Sequence, residues 1–231
     1  MWVWETGSPS APAALLLHGL PTDGRLFAGL ARELPEHRLI CPDLPGFGRS
    51  PPARGDAGPA ALARRLSGLL DGMGVGGPVH LVGQDYGGLL AGLLAASGRG
   101  RSLAVSSAAL RPGGWAVARL TAAPGLHRIF YRGTGGRVYH RLGAAPGRRA
   151  AFSEAFGPGL AAPGLADRMR AIARRLGDPE VRALPAALRA RALPTRLIWG
   201  LGDPFFPAPM APLVAGPGRL VLIPGARHVV P

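Results

Sequence analysis

The ten residues Val79–Gly88, with the sequence VHLVGQDYGG, constrain the fold of this chain more than any other stretch. The apolar run Val79–Val82 predicts a buried strand, and the apolar run Leu89–Ala96 predicts a helix. The intervening Gly83–Gly87 has a glycine two residues before and two residues after Asp85. Glycines at this spacing let a strand and a helix approach with no Cβ between them. We therefore predict a sharp strand-to-helix turn that holds Asp85 in a strained backbone conformation.

Further apolar runs alternate with helical patterns along the chain, which predicts an α/β fold with a mostly parallel sheet flanked by helices. A helix capped by Thr22 or Asp23 and ending near Leu34, and a second helix over Ala60–Leu70, are typical of this alternation. The predicted strands are Trp2–Trp4, Ala13–Leu17, Arg38–Cys41, Val79–Val82, Leu103–Val105, Thr195–Trp199 and Arg219–Ile223.

The alternation stops at about Arg111 and resumes at about Leu193. The stretch between them is rich in Gly, Pro and Arg, and its periodicity is helical, most clearly over Ala166–Leu176 and Glu180–Ala192. We interpret residues 1–110 and 193–231 as one core domain. Residues 111–192 are predicted to form a helical cap subdomain inserted between two strands, and are called the cap segment below.

The formal charge of +14 is concentrated in the cap segment. All 27 basic residues are arginine, and 15 of them lie in this segment against four acidic residues. Because no nucleic-acid-binding motif accompanies the charge, we interpret it as solvated helical surface and predict no nucleic-acid partner. Contact with an anionic partner is the alternative, and it predicts a steep dependence of binding on salt.

Several classes of protein do not fit the sequence. The single cysteine, Cys41, excludes an internal disulfide, and no histidines have the spacing of metal ligands. The first residues lack the basic and apolar regions of a signal peptide, and no apolar run approaches the ~20 residues of a membrane span. Gly83–Gly88 is not a dinucleotide-binding loop, because Asp85 occupies the turn that a phosphate would approach. We expect a cytoplasmic protein with no membrane contact, cofactor or metal.

Three residues with catalytic side chains each follow a predicted strand. Asp85, Asp203 and His228 occur along the chain in the order nucleophile, acid, base. The carboxyl ends of parallel strands lie at one edge of a sheet, where such folds bind their ligands. We therefore expect the three side chains to share one site.

The arrangement resembles the α/β-hydrolase fold superfamily over most of the chain, and Gly83–Gly87 resembles its nucleophile elbow. The motifs that carry the resemblance are Leu15–Gly19, Asp43–Ser50, the elbow, Trp199–Asp203 and Ala226–His228, in the expected order.

The elbow usually carries serine, and an aspartate there resembles the haloalkane dehalogenases and epoxide hydrolases. A carboxylate, with a reference pKa of ~3.9, is ionised without a base and suits attack on saturated carbon. The resemblance implies an alkyl ester on Asp85, hydrolysed by water that His228 deprotonates while Asp203 orients His228. Backbone N–H groups of Leu20 and Tyr86 would bind the oxyanion.

The substrate stays open between two classes. A haloalkane is favoured by the overall resemblance, although Tyr86 replaces the usual tryptophan after the nucleophile, and the cap segment has one tryptophan, Trp115 at its entrance. An epoxide is favoured by Tyr131 and Tyr139, which resemble the cap tyrosines that protonate an opening ring. Either substrate would be small and apolar or weakly polar, with water as the second reactant. A non-catalytic ligand-binding or sensor protein on the same scaffold is the third hypothesis.

Overall fold

A computed structural model describes residues 1–108, 110, 125, 127–128, 143–145, 147, 149–206 and 220–228. The described residues form a sheet of seven strands in the order β1-β3-β2-β4-β5-β6-β7. Strand β1 pairs antiparallel with β3, and every other pair is parallel. The predicted fold class, a mostly parallel α/β sheet with flanking helices, is confirmed. The strands are β1 Val3–Thr6, β2 Ala13–Leu17, β3 Arg38–Pro42, β4 Val79–Gln84, β5 Gly100–Ser106, β6 Thr195–Gly200 and β7 Leu220–Ile223.

The described helices follow the predicted alternation in the first half of the chain. They are α1 Ala28–Glu33, α2 Pro59–Gly72, α3 Tyr86–Ala96, α4 Arg149–Leu160, α5 Leu165–Arg175 and α6 Pro179–Ala190. Helix α3 is buried along almost its whole length and packs on β4 and β5. Helices α2 and α6 lie against α3, so α6, although it belongs to the predicted cap segment, contacts the core helices. Within the described ranges, no helix has the length and apolar character needed to cross a membrane.

Two local predictions differ from the structure. The helix expected to run to Leu34 is divided into a 3₁₀ turn, Gly24–Phe27, and α1. Asp23 is the cap of the turn, because its side chain accepts the N–H of Arg25. Helix α4 was not distinguished in the sequence, because Gly157, Pro158 and Gly159 interrupt its helical pattern.

The elbow glycines allow α3 to cross the strand ends at very short range. A Cβ on Gly83 would overlap the carbonyl group of Gly87, the second residue of α3. A Cβ on Gly87 would overlap the carbonyl of Leu17, the last residue of β2. Backbone therefore packs directly on backbone at the point where β2, β4 and α3 meet.

We predict that Gly83→Ala destabilises the protein by about 3 kcal/mol or more, because the methyl group must displace backbone atoms. Gly68→Ala is the matched control, since Gly68 lies in α2 with open space where its Cβ would be. This control is expected to stabilise α2 by about 0.5–1 kcal/mol. Chemical denaturation of both variants measures the difference, and equal effects would contradict the close packing at the elbow.

Candidate active site

Asp85 is held in a conformation that L-residues rarely adopt, with φ 53° and ψ −120°. It lies at the N-cap of α3 and is only 2% exposed. Its Oδ2 atom accepts the backbone N–H of Leu20 at 2.9 Å, across 65 residues of sequence. The amino end of a helix favours a negative charge, so the position suits a carboxylate.

The Leu20 N–H belongs to the loop His18–Pro21, called the oxyanion loop below. The backbone N–H of Leu44 donates to His18 Nε2 at 2.8 Å, so the ring proton lies on Nδ1, which donates to the Gly19 carbonyl at 2.8 Å. Burial lowers the pKa of His18, which keeps the ring neutral and preserves both bonds. His18 therefore orders the loop that carries the Leu20 N–H.

His228 and Asp203 form a buried hydrogen-bonded pair. Asp203 Oδ2 lies 3.1 Å from His228 Nδ1, and Asp203 Oδ1 accepts the backbone N–H groups of Phe205 and Phe206 at 2.8 and 3.0 Å. Both phenylalanine rings also pack on the imidazole, with centroid distances of 5.0 and 5.5 Å. The Trp199 ring N–H donates to the Phe206 carbonyl at 2.6 Å and so holds the segment that follows Asp203 in place.

The two aspartates differ in the direction of their pKa shifts. Burial raises the pKa of Asp85, and the charge of His228 and the N–H groups of Leu20 and Tyr86 offset this only in part. Burial would also raise the pKa of Asp203, but hydrogen bonds from His228, Phe206 and Phe205, with the His228 charge, lower it overall. Asp203 is therefore the more firmly ionised of the two.

The pKa of His228 reflects the same balance. Burial alone lowers it, but the hydrogen bond to Asp203 and the charges of Asp203 and Asp85 together raise it above 6.5. Because each group contributes to the pKa of the other, Asp85 and His228 are electrostatically linked. The structure thus brings together the three side chains that were predicted to share one site.

Sequence reasoning missed Gln84, which contacts the imidazole from the last position of β4. Its Nε2 atom lies 3.3 Å from His228 Nε2, and its Oε1 atom is buried without a partner in the described part of the chain. The one sequence signal for a role of Gln84 is its position directly before Asp85. The alternation of side chains along β4 does not show that the Gln84 side chain reaches His228 at the carboxyl edge of the sheet.

Of the tyrosines and the tryptophan predicted near the substrate, only Tyr86 lies among the described residues. Tyr86 is 4% exposed, and its hydroxyl has no hydrogen-bond partner among the described residues. Burial raises the pKa of this hydroxyl, which keeps it neutral and able to donate. Trp115, Tyr131 and Tyr139 lie outside the described residues.

Helices α4 and α5 pack on the loops at this edge of the sheet. The Arg168 guanidinium, on α5, lies 5.6 Å from the ring centre of Phe47, and Arg175 pairs with Asp56 at 2.9 Å. On α4, a Cβ on Gly159 would overlap the Pro21 carbonyl. Helix α4 therefore contacts the loop that carries the Leu20 N–H, and α5 contacts the loop between β3 and α2. In the described ranges, no three His, Cys, Asp or Glu side chains form a group that could hold a metal ion.

Comparison with known proteins decides the family. The model of the "Alpha/beta hydrolase family" matches residues 14–231. The chain belongs to the alpha/beta hydrolase family. Asp85, Asp203 and His228 follow β4, β6 and β7, at the carboxyl ends of parallel strands.

The proteins similar to this chain include a lipase and a haloalkane dehalogenase. The chain is 46% identical over 93 residues to Lipase LipV of Mycobacterium tuberculosis, which is 38% of this chain and 34% of that lipase. It is 37% identical over 90 residues to a haloalkane dehalogenase of Psychrobacter cryohalolentis, which is 37% of this chain and 29% of the dehalogenase. These matches thus span about a third of each curated relative.

A solved structure covers far more of this chain. A thermophilic esterase from Thermogutta terrifontis has a TM-score of 0.79 and 26% sequence identity, covering 98% of this chain and 85% of the esterase. The likeness extends over the whole sheet and supports a hydrolase fold without selecting one substrate.

We predict that Asp203→Asn lowers the pKa of His228 relative to the wild type. An amide removes the charge that raises this pKa, so that burial of the imidazole dominates. NMR titration of the assigned His228 ring measures the shift. Asp167→Asn is the control, because Asp167 pairs with another histidine, His127, at 3.1 Å. The pairing of His228 with Asp203 would be disproved if both variants left the His228 titration unchanged.

Proposed function

We propose that this protein is a hydrolase that forms an alkyl ester on Asp85 by displacement at saturated carbon and hydrolyses that ester with water activated by His228. The observation that carries the proposal is the hydrogen bond from the Leu20 N–H to Asp85 Oδ2. This hydrogen bond distinguishes the two oxygens of the Asp85 carboxylate, because the proposed mechanism uses one as the nucleophile and the other as the carbonyl oxygen of the ester.

The first step is attack by the free oxygen of Asp85. Its electron pair forms a carbon–oxygen bond to the substrate, and the carbon–leaving-group bond breaks with its electrons departing on the leaving group. Oδ2, held by the Leu20 N–H, becomes the carbonyl oxygen of the ester. An oxyanion-binding N–H is therefore already engaged with the correct atom before the second step begins.

The second step is hydrolysis of the ester. Water attacks the Asp85 carboxyl carbon while His228 Nε2 takes one proton, and negative charge develops on Oδ2 opposite the Leu20 N–H. Collapse of the intermediate expels the product alcohol, which takes the proton from His228. The carboxyl group that remains on Asp85 ionises and restores the nucleophile. Asp203 binds the imidazole at Nδ1, so that Nε2 is the ring nitrogen that acts as the base.

Ester hydrolysis, the reaction named for the lipase and esterase relatives, fits Asp85 less well. A carboxylate that attacks an ester carbonyl forms a mixed anhydride, which is at least as reactive as the substrate. An alkyl ester is by contrast a stable intermediate whose breakdown needs a base. The buried His228–Asp203 pair supports an intermediate of this second kind.

A small haloalkane is the substrate that we favour, with the Tyr86 hydroxyl as a donor to the departing halide. A halide needs a hydrogen bond and no proton, which suits a hydroxyl whose pKa is raised by burial. An epoxide oxygen needs a proton, for which a raised pKa is a disadvantage. Epoxide hydrolysis therefore depends on Tyr131 and Tyr139 and stays the second candidate.

We further propose that the cap segment, residues 111–192, covers the site and excludes bulk water.

We predict that His228→Ala, incubated with 1-bromobutane, retains one butyl group and releases one equivalent of bromide. Without the imidazole, alkylation proceeds but the ester persists. Intact-mass spectrometry detects the adduct, and peptide mapping assigns it to Asp85. His80→Ala is the matched control, since His80 lies on β4 and contacts Ser102 on β5. It should turn over without accumulating adduct.

Styrene oxide, tested in parallel, separates the two substrate classes, because an epoxide leaves a hydroxyalkyl adduct and releases no halide. Asp85→Asn should form neither adduct. An unmodified mass with both probes, together with retention of an unreacted ligand, would support the sensor hypothesis against the proposed enzyme.

We predict that alkylation lowers the pKa of His228. The charge of Asp85 contributes to the raised pKa in the free enzyme, and esterification removes that charge while Asp203 remains. Hydrolysis requires the neutral imidazole, so its rate falls as the pH drops through the lowered pKa. Single-turnover hydrolysis measured against pH should give a midpoint below the His228 pKa titrated in free enzyme by NMR. Equal midpoints would show that the two groups are not linked.

A further inference from the structure

Gln84 combines three features that the proposed reaction does not yet use. Its side chain ends 3.3 Å from His228 Nε2, it is 6% exposed, and its Oε1 atom has no partner among the described residues. A buried acceptor without a partner destabilises the folded protein, so its presence needs an explanation. A role in handling a water molecule is one such explanation.

The surroundings of Gln84 restrict where its carboxamide can lie. A Cβ on Gly19 would overlap Gln84 Oε1, so the amide packs against the backbone of the oxyanion loop. Gln84 is also joined directly to Asp85 at the strained end of β4. The carboxamide is thus enclosed by the oxyanion loop, the nucleophile and the base.

We infer that Gln84 is a positioning residue for the hydrolytic water, an inference that rests on the proposed alkyl-enzyme mechanism. Water that attacks the Asp85 carboxyl carbon has two protons to direct. One goes to His228 Nε2, the base, and the other is donated to Gln84 Oε1. With both protons held, a lone pair of the water oxygen is aimed at the carboxyl carbon.

The resting contact between Gln84 and His228 fits this role. Asp203 only accepts, so His228 Nδ1 carries the ring proton and Nε2 presents a lone pair to Gln84 Nε2. The amide N–H therefore binds the neutral imidazole, the form in which it serves as base. When a water molecule donates one hydrogen bond to His228 Nε2 in place of the amide, Gln84 Oε1 accepts the second hydrogen bond of that water. An uncharged amide also adds no charge beside Asp85 during alkylation.

The proposed role of Gln84 affects hydrolysis of the ester and not alkylation of Asp85, so the test measures the two rates separately. Gln84→Leu keeps the bulk and removes the acceptor. Rapid-quench mass spectrometry with 1-bromobutane gives the rate of alkylation and the rate of ester loss in one experiment. We expect alkylation to stay within about threefold of wild type while hydrolysis slows roughly 10- to 100-fold, so that alkyl-enzyme accumulates. Styrene oxide replaces 1-bromobutane if the epoxide proves to be the substrate.

Two further variants keep the test decisive. Gln84→Glu retains an acceptor, so hydrolysis should recover, and its added charge should move the acid limb of hydrolysis to higher pH by raising the pKa of His228. Gln84→Asn withdraws the acceptor by one methylene and decides the matter if Gln84→Leu does not fold. Ser106→Ala is the matched control, since Ser106 is paired with Gln84 across β4 and β5 and its buried hydroxyl has no hydrogen-bond partner among the described residues. It should leave both rates unchanged.

The possible failures are distinguishable. If His228→Ala traps the adduct but Gln84→Leu hydrolyses it at the wild-type rate, the role of Gln84 is wrong and the proposed function stands. Equal slowing of alkylation and hydrolysis in Gln84→Leu would indicate a merely structural role and would also overturn the inference. If neither variant forms an adduct with either probe, the proposed function itself is wrong.

Discussion

The hydrogen bond between the Leu20 N–H and Asp85 Oδ2 is the contact on which the site depends, because it joins two distant segments at one sheet edge. The parallel pairing of β2 and β4 brings the segments together, and Gly87 allows α3 to rest on the carbonyl of Leu17. His18 then orients the oxyanion loop through two backbone groups. A shift in any of these elements would leave the Asp85 carboxylate without its donor.

Burial favours the protonated form of both aspartates of the site, but the net shifts of their pKa values have opposite directions. Asp203 accepts three hydrogen bonds, from His228, Phe205 and Phe206, so its ionised form is well solvated by the protein. The N–H groups of Leu20 and Tyr86 lower the pKa of Asp85, but burial of this carboxylate raises it by more. A pair of like groups with diverging pKa values is typical of a division between reactive and supporting roles. Asp203 is suited to permanent charge, and Asp85 to giving up its charge in a bond.

The sequence predicted the parts of the structure that depend on short-range patterns. The elbow glycines and the strand over Ala13–Leu17 are local patterns, and the order of Asp85, Asp203 and His228 is visible along the chain. The structure brings these three side chains to one edge of the sheet. The contacts of Gln84 and Phe205 were not predictable in this way. They depend on how far side chains reach between elements that lie more than 20 residues apart, which periodicity does not encode.

The helices above the site bear on the oxyanion loop itself, and this limits how freely they can move. Helix α4 approaches the Pro21 carbonyl so closely that Gly159 has no room for a Cβ. Helix α5 places Arg168 over Phe47, and the Phe47 ring packs edge-on against His18 at 6.4 Å. Displacing α4 or α5 therefore disturbs the loop that presents the Leu20 N–H. Because close-packed interiors transmit such strain, the position of these helices and the geometry of oxyanion binding are mechanically coupled.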